Sequence, residues 1–157
     1  MILGFFLCHH NFDFFETINI KSTLTIFNNH LQIILLEKWV QNFVHSNKLS
    51  DRTGFNLELV LTEAVTNVMD YGKQPEGKIE ISCTLLHECI LIEIIDAGIP
   101  FDPTQVKPAD RPQTLEDATP GGLGIHLIHH YTYNMHYQRK NGRNILRMCL
   151  PVQYNFP

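Results

Sequence analysis

The sequence lacks the features that would mark a secreted, membrane-bound or nucleic-acid-binding protein. Its four cysteines are scattered without a CxxC pair, so we expect buried thiols and neither a zinc site nor a disulfide framework. The apolar residues 1–8 form too short a run to span a bilayer, and no basic region or small-residue cleavage site accompanies them. With a formal net charge of −4 and no polybasic segment, neither nucleic acid nor a membrane surface is an expected partner. These absences predict a cytoplasmic protein.

Several common nucleotide and metal motifs are missing as well. The chain has no GxxxxGK[ST] run, which excludes a Walker loop. Its glycine-rich run at 121–124 is not a Rossmann turn, because it follows a long loop and no βαβ unit surrounds it. His126, His129 and His130 have helical spacing, but no HExxH or comparable ligand set accompanies them. We therefore do not expect a metal site at these histidines.

What is present is the composition of one globular domain of the α+β class. The chain has 157 residues, of which 44% are hydrophobic, so we treat residues 1–157 as a single domain with a proper core. Apolar periodicity and turn signals predict a strand over 14–27, helices over 31–47 and 51–71, a hairpin over 79–94, a loop over 100–120, a helix over 125–131 and a second hairpin over 133–150. The sum is a mostly antiparallel sheet with helices covering one face. The aromatic-rich start and an exposed sheet edge make a homodimer an expectation.

The first hairpin places a carboxylate on the buried face of the sheet. With His87 and Glu88 as the loop, Ile79 lies opposite Asp96 and Cys83 opposite Ile92. Asp96 then continues the apolar face at the end of its strand, where a carboxylate is costly unless something binds it. The alternative is an ordinary turn carrying a capping aspartate. For this physical reason Asp96 is a candidate functional residue.

A carboxylate and a carboxamide stand one turn apart on the second helix. Glu63 and Asn67 are at i and i+4 and border the apolar stripe. A carboxamide oxygen suits Mg²⁺, and a carboxylate one turn away can take a proton from a hydroxyl. The alternative is the border of an ordinary amphipathic helix, and the pair by itself favours that alternative.

The glycine-rich run precedes a predicted helix N-terminus. Backbone N–H groups at Gly122 and Gly124 can approach phosphates closely, and the helix dipole favours negative charge there. A flexible turn is the alternative explanation for glycines taken alone.

Together these segments resemble the N, G1 and G2 boxes of the GHKL ATPases, the superfamily of gyrase, Hsp90, histidine kinases and MutL. The matching runs are Glu-Ala-Val-Thr-Asn from Glu63, Asp-x-Gly-x-x-Phe-Asp-Pro from Asp96 and Gly-Gly-Leu-Gly-Ile-x-Leu-Ile from 121. Within the superfamily the chain looks most like the anti-sigma factor serine/threonine kinases. The resemblance covers residues 31–151 and leaves the N-terminal arm, residues 1–28, unexplained.

The resemblance implies a Bergerat α/β sandwich that binds ATP and Mg²⁺ under a lid formed by residues 104–120. It makes Asn67 the Mg²⁺ ligand and Glu63 the general base. It also makes Asp96 the partner of the adenine amine, with Gly98 beside the ring. Around the phosphates the resemblance places these residues: Gly122, Leu123, Gly124 and Ile125. Lys107 and Arg111 are further candidates for the γ-phosphate, although neither belongs to a family motif.

Two positions depart from the family's pattern. The family often has histidine where this chain has Tyr71, and an aromatic residue where it has Lys73. Both positions are at the edge of the expected pocket, so they bear on affinity and lid contacts.

The resemblance further implies phosphorylation of a serine on a STAS-domain anti-anti-sigma factor, together with sequestration of a sigma factor. An ATP-dependent binding switch without phosphotransfer is the alternative. A histidine kinase fragment is not expected, because the residues before the first helix do not resemble a helical dimerisation domain.

Overall fold

The computed structural model describes residues 19–72, 77–106 and 122–154, apart from the side chains of 122 and 123. The described residues form five strands and three α-helices. The strands are β1 Ile20–Phe27, β2 Lys78–Leu85, β3 Cys89–Asp96, β4 Tyr133–Lys140 and β5 Arg143–Pro151. The helices are α1 Ile33–Ser46, α2 Asp51–Tyr71 and α3 Gly122–Tyr131. Short 3-10 turns at His30–Gln32 and Pro103–Gln105 complete the elements.

The strands form one antiparallel sheet in the order β1-β2-β3-β5-β4. Alternate residues on the strands face the helices and are buried there, as Ile26, Ile81, Ile92 and Met148 illustrate. The core therefore lies between a helical layer and one face of the sheet, which confirms the predicted α+β sandwich.

The first hairpin has the predicted register. Ile79 pairs with Asp96 and Cys83 with Ile92, so Asp96 does lie on the helix-facing side. In the second hairpin Asn141 and Gly142 have φ of 51° and 75°, as a type I′ turn requires. β4 carries an irregularity between Tyr133 and His136, after which the regular pairing with β5 resumes.

The helices begin and end at or near the predicted residues, with one exception; α1 begins at Ile33, after the 3-10 turn, and not at residue 31. Ser50 caps α2, its hydroxyl accepting a hydrogen bond from the Thr53 N–H at 3.1 Å, and Gly72 follows the last residue of the helix. The exception is α3, which begins at Gly122 and not at the expected Ile125. Glycine in a sequence is typical of a loop, yet a helix can begin at glycine, because the cost relative to alanine is only about 1 kcal/mol per residue.

The cysteines within the described ranges agree with the expectation of buried thiols. Cys83 and Cys89 are buried and Cys149 is partly so, and all three are free. Burial raises the pKa of the Cys83 thiol far above its usual range, so this side chain acts as a small apolar residue. In the described parts of the chain no helix has the length and apolarity needed to cross a membrane. Residues 14–18 of the predicted first strand lie outside the described residues, as does Cys8.

Candidate functional site

A cleft opens between α2, the end of β3 and α3. Asn67 contributes to it from α2, Asp96 from β3 and Ile128 from α3, and residues of β4 and β5 line it as well. Its remaining lining is largely apolar and aromatic: Ala64, Val68, Tyr71, Gly72, Ile94, Ile99, Phe101, Pro103, Tyr137, Asn144 and Leu146. Concave apolar sites with a few convergent polar groups are typical of small-molecule binding. Two predicted site residues, Asn67 and Asp96, therefore line one cleft.

Asp96 is the buried carboxylate of this cleft, with 7% of its surface exposed. Its Oδ1 accepts a hydrogen bond from the Gly98 N–H at 2.7 Å and another from the Asn144 side-chain amide at 2.8 Å. These two donors offset part of the cost of removing the carboxylate from water. Both meet the same oxygen, so Oδ2 is the oxygen available to a donor on a ligand.

Sequence reasoning missed a polar group beside Asp96. Asn144 is 6% exposed and lies directly opposite Asp96 in the β3–β5 pairing. Its Oδ1 accepts hydrogen bonds from the Tyr137 hydroxyl and the Arg139 guanidinium, each at 2.7 Å. A signal for it exists in the sequence, because the period-two alternation of Leu146 with its neighbours puts Asn144 on the same inward face.

Gly98 has a structural reason to be glycine. A Cβ there would lie 2.8 Å from the Gly72 carbonyl oxygen and 2.9 Å from the Gly72 Cα. These are backbone atoms at the end of α2. The Ile99 N–H also donates a 3.1 Å hydrogen bond to the Gly72 carbonyl oxygen. The turn after β3 and the end of α2 therefore approach too closely for a side chain.

Glu63 meets the N-terminal turn of α3. A Cβ placed on Gly124 would overlap Glu63 Oε2 and lie 3.2 Å from Glu63 Cδ. The missing side chain at Gly124 is thus what admits the carboxylate. One turn further along each helix, Asn67 and Ile128 both line the cleft. The predicted base therefore lies beside the predicted phosphate-binding turn, next to the cleft.

The donor set in this region fits a magnesium ion. Mg²⁺ binds through one or two protein oxygens together with phosphate oxygens and water, and the half-buried Asn67 offers such an oxygen in the cleft. No group of three His, Cys, Asp or Glu side chains within the described ranges has the geometry of a metal site. His129 instead contacts the Pro103 carbonyl oxygen through Nε2 at 3.3 Å.

Aromatic residues stand at the mouth of the cleft. Tyr71 stacks on Phe101 with ring centroids 6.4 Å apart, which links the end of α2 to the segment after β3. Asp102 then caps the Pro103–Gln105 turn, its carboxylate accepting hydrogen bonds from the Thr104 N–H and hydroxyl. The predicted lid therefore begins in a 3-10 turn that the Asp102 carboxylate stabilises.

Of the remaining predicted site residues, some belong to α3 and others lie outside the described part of the chain. Gly122 and Leu123 belong to the first turn of α3, and Ile125 is buried beneath it. The remaining predictions for the lid, including Lys107 and Arg111, lie outside the described residues.

Comparison with known proteins identifies the class that this fold and site define. A model of the histidine kinase-like ATPase domain matches residues 29–150. This chain therefore belongs to the histidine kinase-like ATPase family, which confirms the resemblance to the GHKL ATPases.

The proteins similar to this chain include a curated relative and a solved structure. The serine/threonine-protein kinase BtrW of Bordetella bronchiseptica is 31% identical over 112 residues, which cover 70% of this chain and 79% of that protein. The solved structure of the RsbU and RsbW domains of Rv1364c from Mycobacterium tuberculosis matches with a TM-score of 0.61 and 10% identity. That match covers 88% of this chain and 34% of the longer one, and it supports the fold.

Proposed function

We propose that this protein is an ATP-dependent serine/threonine kinase and anti-sigma factor. It transfers the γ-phosphoryl group of ATP to a serine on a STAS-domain anti-anti-sigma factor. Through a separate interaction it holds a sigma factor, and it acts in the cytoplasm as a homodimer. The family supports ATP as the substrate, and the similarity to the serine/threonine-protein kinase BtrW supports a kinase.

The contact between Glu63 and Gly124 carries the proposal. A carboxylate beside a phosphate-binding helix N-terminus repels the phosphates, and this cost is offset when the carboxylate takes part in the reaction. A general base has that role, because it must lie within hydrogen-bond reach of the attacking hydroxyl. We assign Glu63 to this role.

The other residues bind and orient the nucleotide. Asp96 accepts a hydrogen bond from the exocyclic amine of adenine, and Gly122 and Gly124 present the N–H groups of the first turn of α3 to the phosphates. Asn67 would hold Mg²⁺, which neutralises charge on the phosphates when it is bound.

Transfer then needs one proton to move and two bonds to change. Glu63 takes the proton of the serine hydroxyl while the serine oxygen forms a bond to the γ-phosphorus. The bond from that phosphorus to the bridging oxygen breaks, and ADP leaves. Positioning of the reactants supplies much of the rate enhancement, because the protein forms no covalent bond to the phosphoryl group.

The test is transfer of label from γ-labelled ATP to candidate STAS-domain proteins. Glu63→Gln is expected to lower the transfer rate by about 10²–10⁴-fold while leaving ATP affinity nearly unchanged, because the amide cannot accept the proton. Glu58→Gln, the same substitution on the same helix but away from the cleft, is the matched control and is expected to retain activity.

The outcomes separate the proposed kinase from the binding switch. Label on a serine of the STAS protein supports the kinase. Nucleotide-dependent binding of that protein without any label supports the switch. Transfer at the wild-type rate in Glu63→Gln removes Glu63 from its assigned role.

A further inference from the structure

We propose that Asn144 is a positioning residue that fixes the Asp96 carboxylate and thereby sets the preference for a purine bearing a 6-amino group. The inference rests on the proposed function, because it concerns the same nucleotide site. Three adjacent strands carry the residues involved. Asp96 pairs with Asn144 across β3 and β5, and Asn144 pairs with Arg139 across β5 and β4.

The chemistry of the donors leaves one orientation for the Asn144 amide. A guanidinium can only donate, so the atom that meets Arg139 at 2.7 Å must be the amide oxygen. The amide nitrogen is then the atom that meets Asp96 Oδ1 at 2.8 Å, and a carboxylate is the acceptor it needs. The Tyr137 hydroxyl donates to the same amide oxygen at 2.7 Å.

The turn after β3 is tied to the same group. Arg139 also donates to the Gly98 carbonyl oxygen at 2.7 Å, and the Asn144 amide donates to the Ile99 carbonyl oxygen at 3.0 Å. Rotation of the Asp96 carboxylate would break its hydrogen bonds to Gly98 and Asn144 at Oδ1. Because these hydrogen bonds hold Oδ1, Asp96 Oδ2 is the oxygen that faces the ligand.

A fixed carboxylate discriminates between purines through its chemistry. Because it only accepts hydrogen bonds, it pairs with the amine of adenine and opposes the carbonyl oxygen that guanine carries at that position. Without Asn144, Oδ1 loses a donor and the carboxylate is free to turn, so the hydrogen bond to the amine weakens. The affinity is therefore lowered for ligands that carry the 6-amino group and not for ligands that lack it.

The experiment compares ATP with purine riboside triphosphate, which lacks the 6-amino group. The wild type is expected to bind ATP about 10–100-fold more tightly than this analogue, as suits a hydrogen bond to a charged group. Asn144→Leu, which keeps the branched shape and the number of side-chain heavy atoms, should weaken ATP binding about 10-fold and change binding of the analogue less than about twofold. Equal losses for both ligands would show a merely structural role and overturn the inference.

A second variant keeps the test independent of folding. Arg139→Met removes the cation from an exposed position on the edge strand β4 and should weaken ATP binding about threefold, again without affecting the analogue. The matched control is Arg147→Met, which breaks an ion pair with Glu93 on the other face of the sheet and should change neither affinity. Wild-type affinity for ATP in Arg139→Met and Asn144→Leu would also overturn the inference.

The wild-type measurements distinguish this inference from the proposed function. A wild type that binds neither nucleotide overturns the proposed function and this inference together. A wild type that prefers ATP, combined with variants that lose both ligands equally, overturns the positioning role of Asn144 and leaves the proposed function in place.

Discussion

Gly124→Ala should disable the chemistry of the site while leaving the fold nearly unchanged. The new Cβ would overlap Glu63 Oε2 and lie 3.2 Å from Glu63 Cδ and 3.7 Å from Glu63 Cβ. The closest of these atoms is the far end of a flexible side chain. The carboxylate can therefore move aside while the backbones of α2 and α3 keep their positions.

The expected magnitudes follow from this geometry. Alanine stabilises a helix by roughly 0.5–1 kcal/mol relative to glycine. Moving Glu63 to a poorer rotamer costs about 0.5–1.5 kcal/mol, so the net change in the free energy of unfolding stays within about 1 kcal/mol. For a chain of this size that corresponds to a change in Tm of about 2–4 °C. A displacement of about 1 Å at a catalytic group, in contrast, lowers the rate by roughly 10²-fold.

Three measurements check the prediction: the single-turnover transfer rate, the Kd for ATP and the Tm. Gly54→Ala is the matched control, since it also places a methyl group in a tight helix contact, 3.1 Å from Val44 Cγ1. Gly54 lies on α2 but does not line the cleft, so its substitution should alter Tm and leave transfer intact.

A double variant isolates the contact between the two residues. If Gly124→Ala acts by displacing Glu63, it should add little further loss of transfer in a Glu63→Gln background. The reasoning is refuted if Gly124→Ala transfers at the wild-type rate. It is refuted equally if the loss lies wholly in ATP affinity, or if the two substitutions lower the rate independently.

Two further outcomes are expected. Gly98→Ala should destabilise the protein by about 1–3 kcal/mol and weaken ATP binding, because its Cβ would meet Gly72 backbone atoms at 2.8 and 2.9 Å that cannot move aside. Thermal unfolding with an unchanged Tm would contradict this. Tyr133 should titrate late, because its hydrogen bond with the Cys89 thiol, burial and nearby acidic groups raise its pKa from 10.0 to about 12. The stability it contributes is full below pH 10 and is lost as pH rises through about 12, since the unfolded chain releases this proton first. The tyrosinate absorbance lost in Tyr133→Phe relative to the wild type should titrate near pH 12, and a difference that titrates near pH 10 would show the reasoning to be wrong.

The fold was largely predictable because its signals are local. Ser50 precedes an apolar helical stripe, and Asn141-Gly142 separates two alternating runs, so the cap and the turn can be read from neighbouring residues. The register of the first hairpin follows from a two-residue loop, and it places Asp96 inward. The start of α3 was misplaced because glycine is a weak helix former in isolation, whereas a larger residue at position 124 would displace the Glu63 carboxylate.

The candidate site was predictable only in part. Asp96 was found because a carboxylate stands out on an apolar strand face, whereas Glu63 and Asn67 became candidates only in combination with the other motifs of the GHKL resemblance. Asn144 has the same kind of signal, an amide on an inward strand face, yet a lone amide does not indicate what it contacts. That contact depends on β5 lying between β3 and β4, an order that the alternation of residues along a strand does not specify.

The sequence by itself therefore determined the elements, the hairpin registers and the inward direction of Asp96, because neighbours along the chain set these features. Only the tertiary structure decided that Glu63 lies against Gly124 and that the Asn144 amide meets Asp96. Those contacts join residues far apart in the chain. They arise because α3 packs beside α2 and β5 enters between β3 and β4, and both arrangements come from burial of the shared core rather than from any local preference.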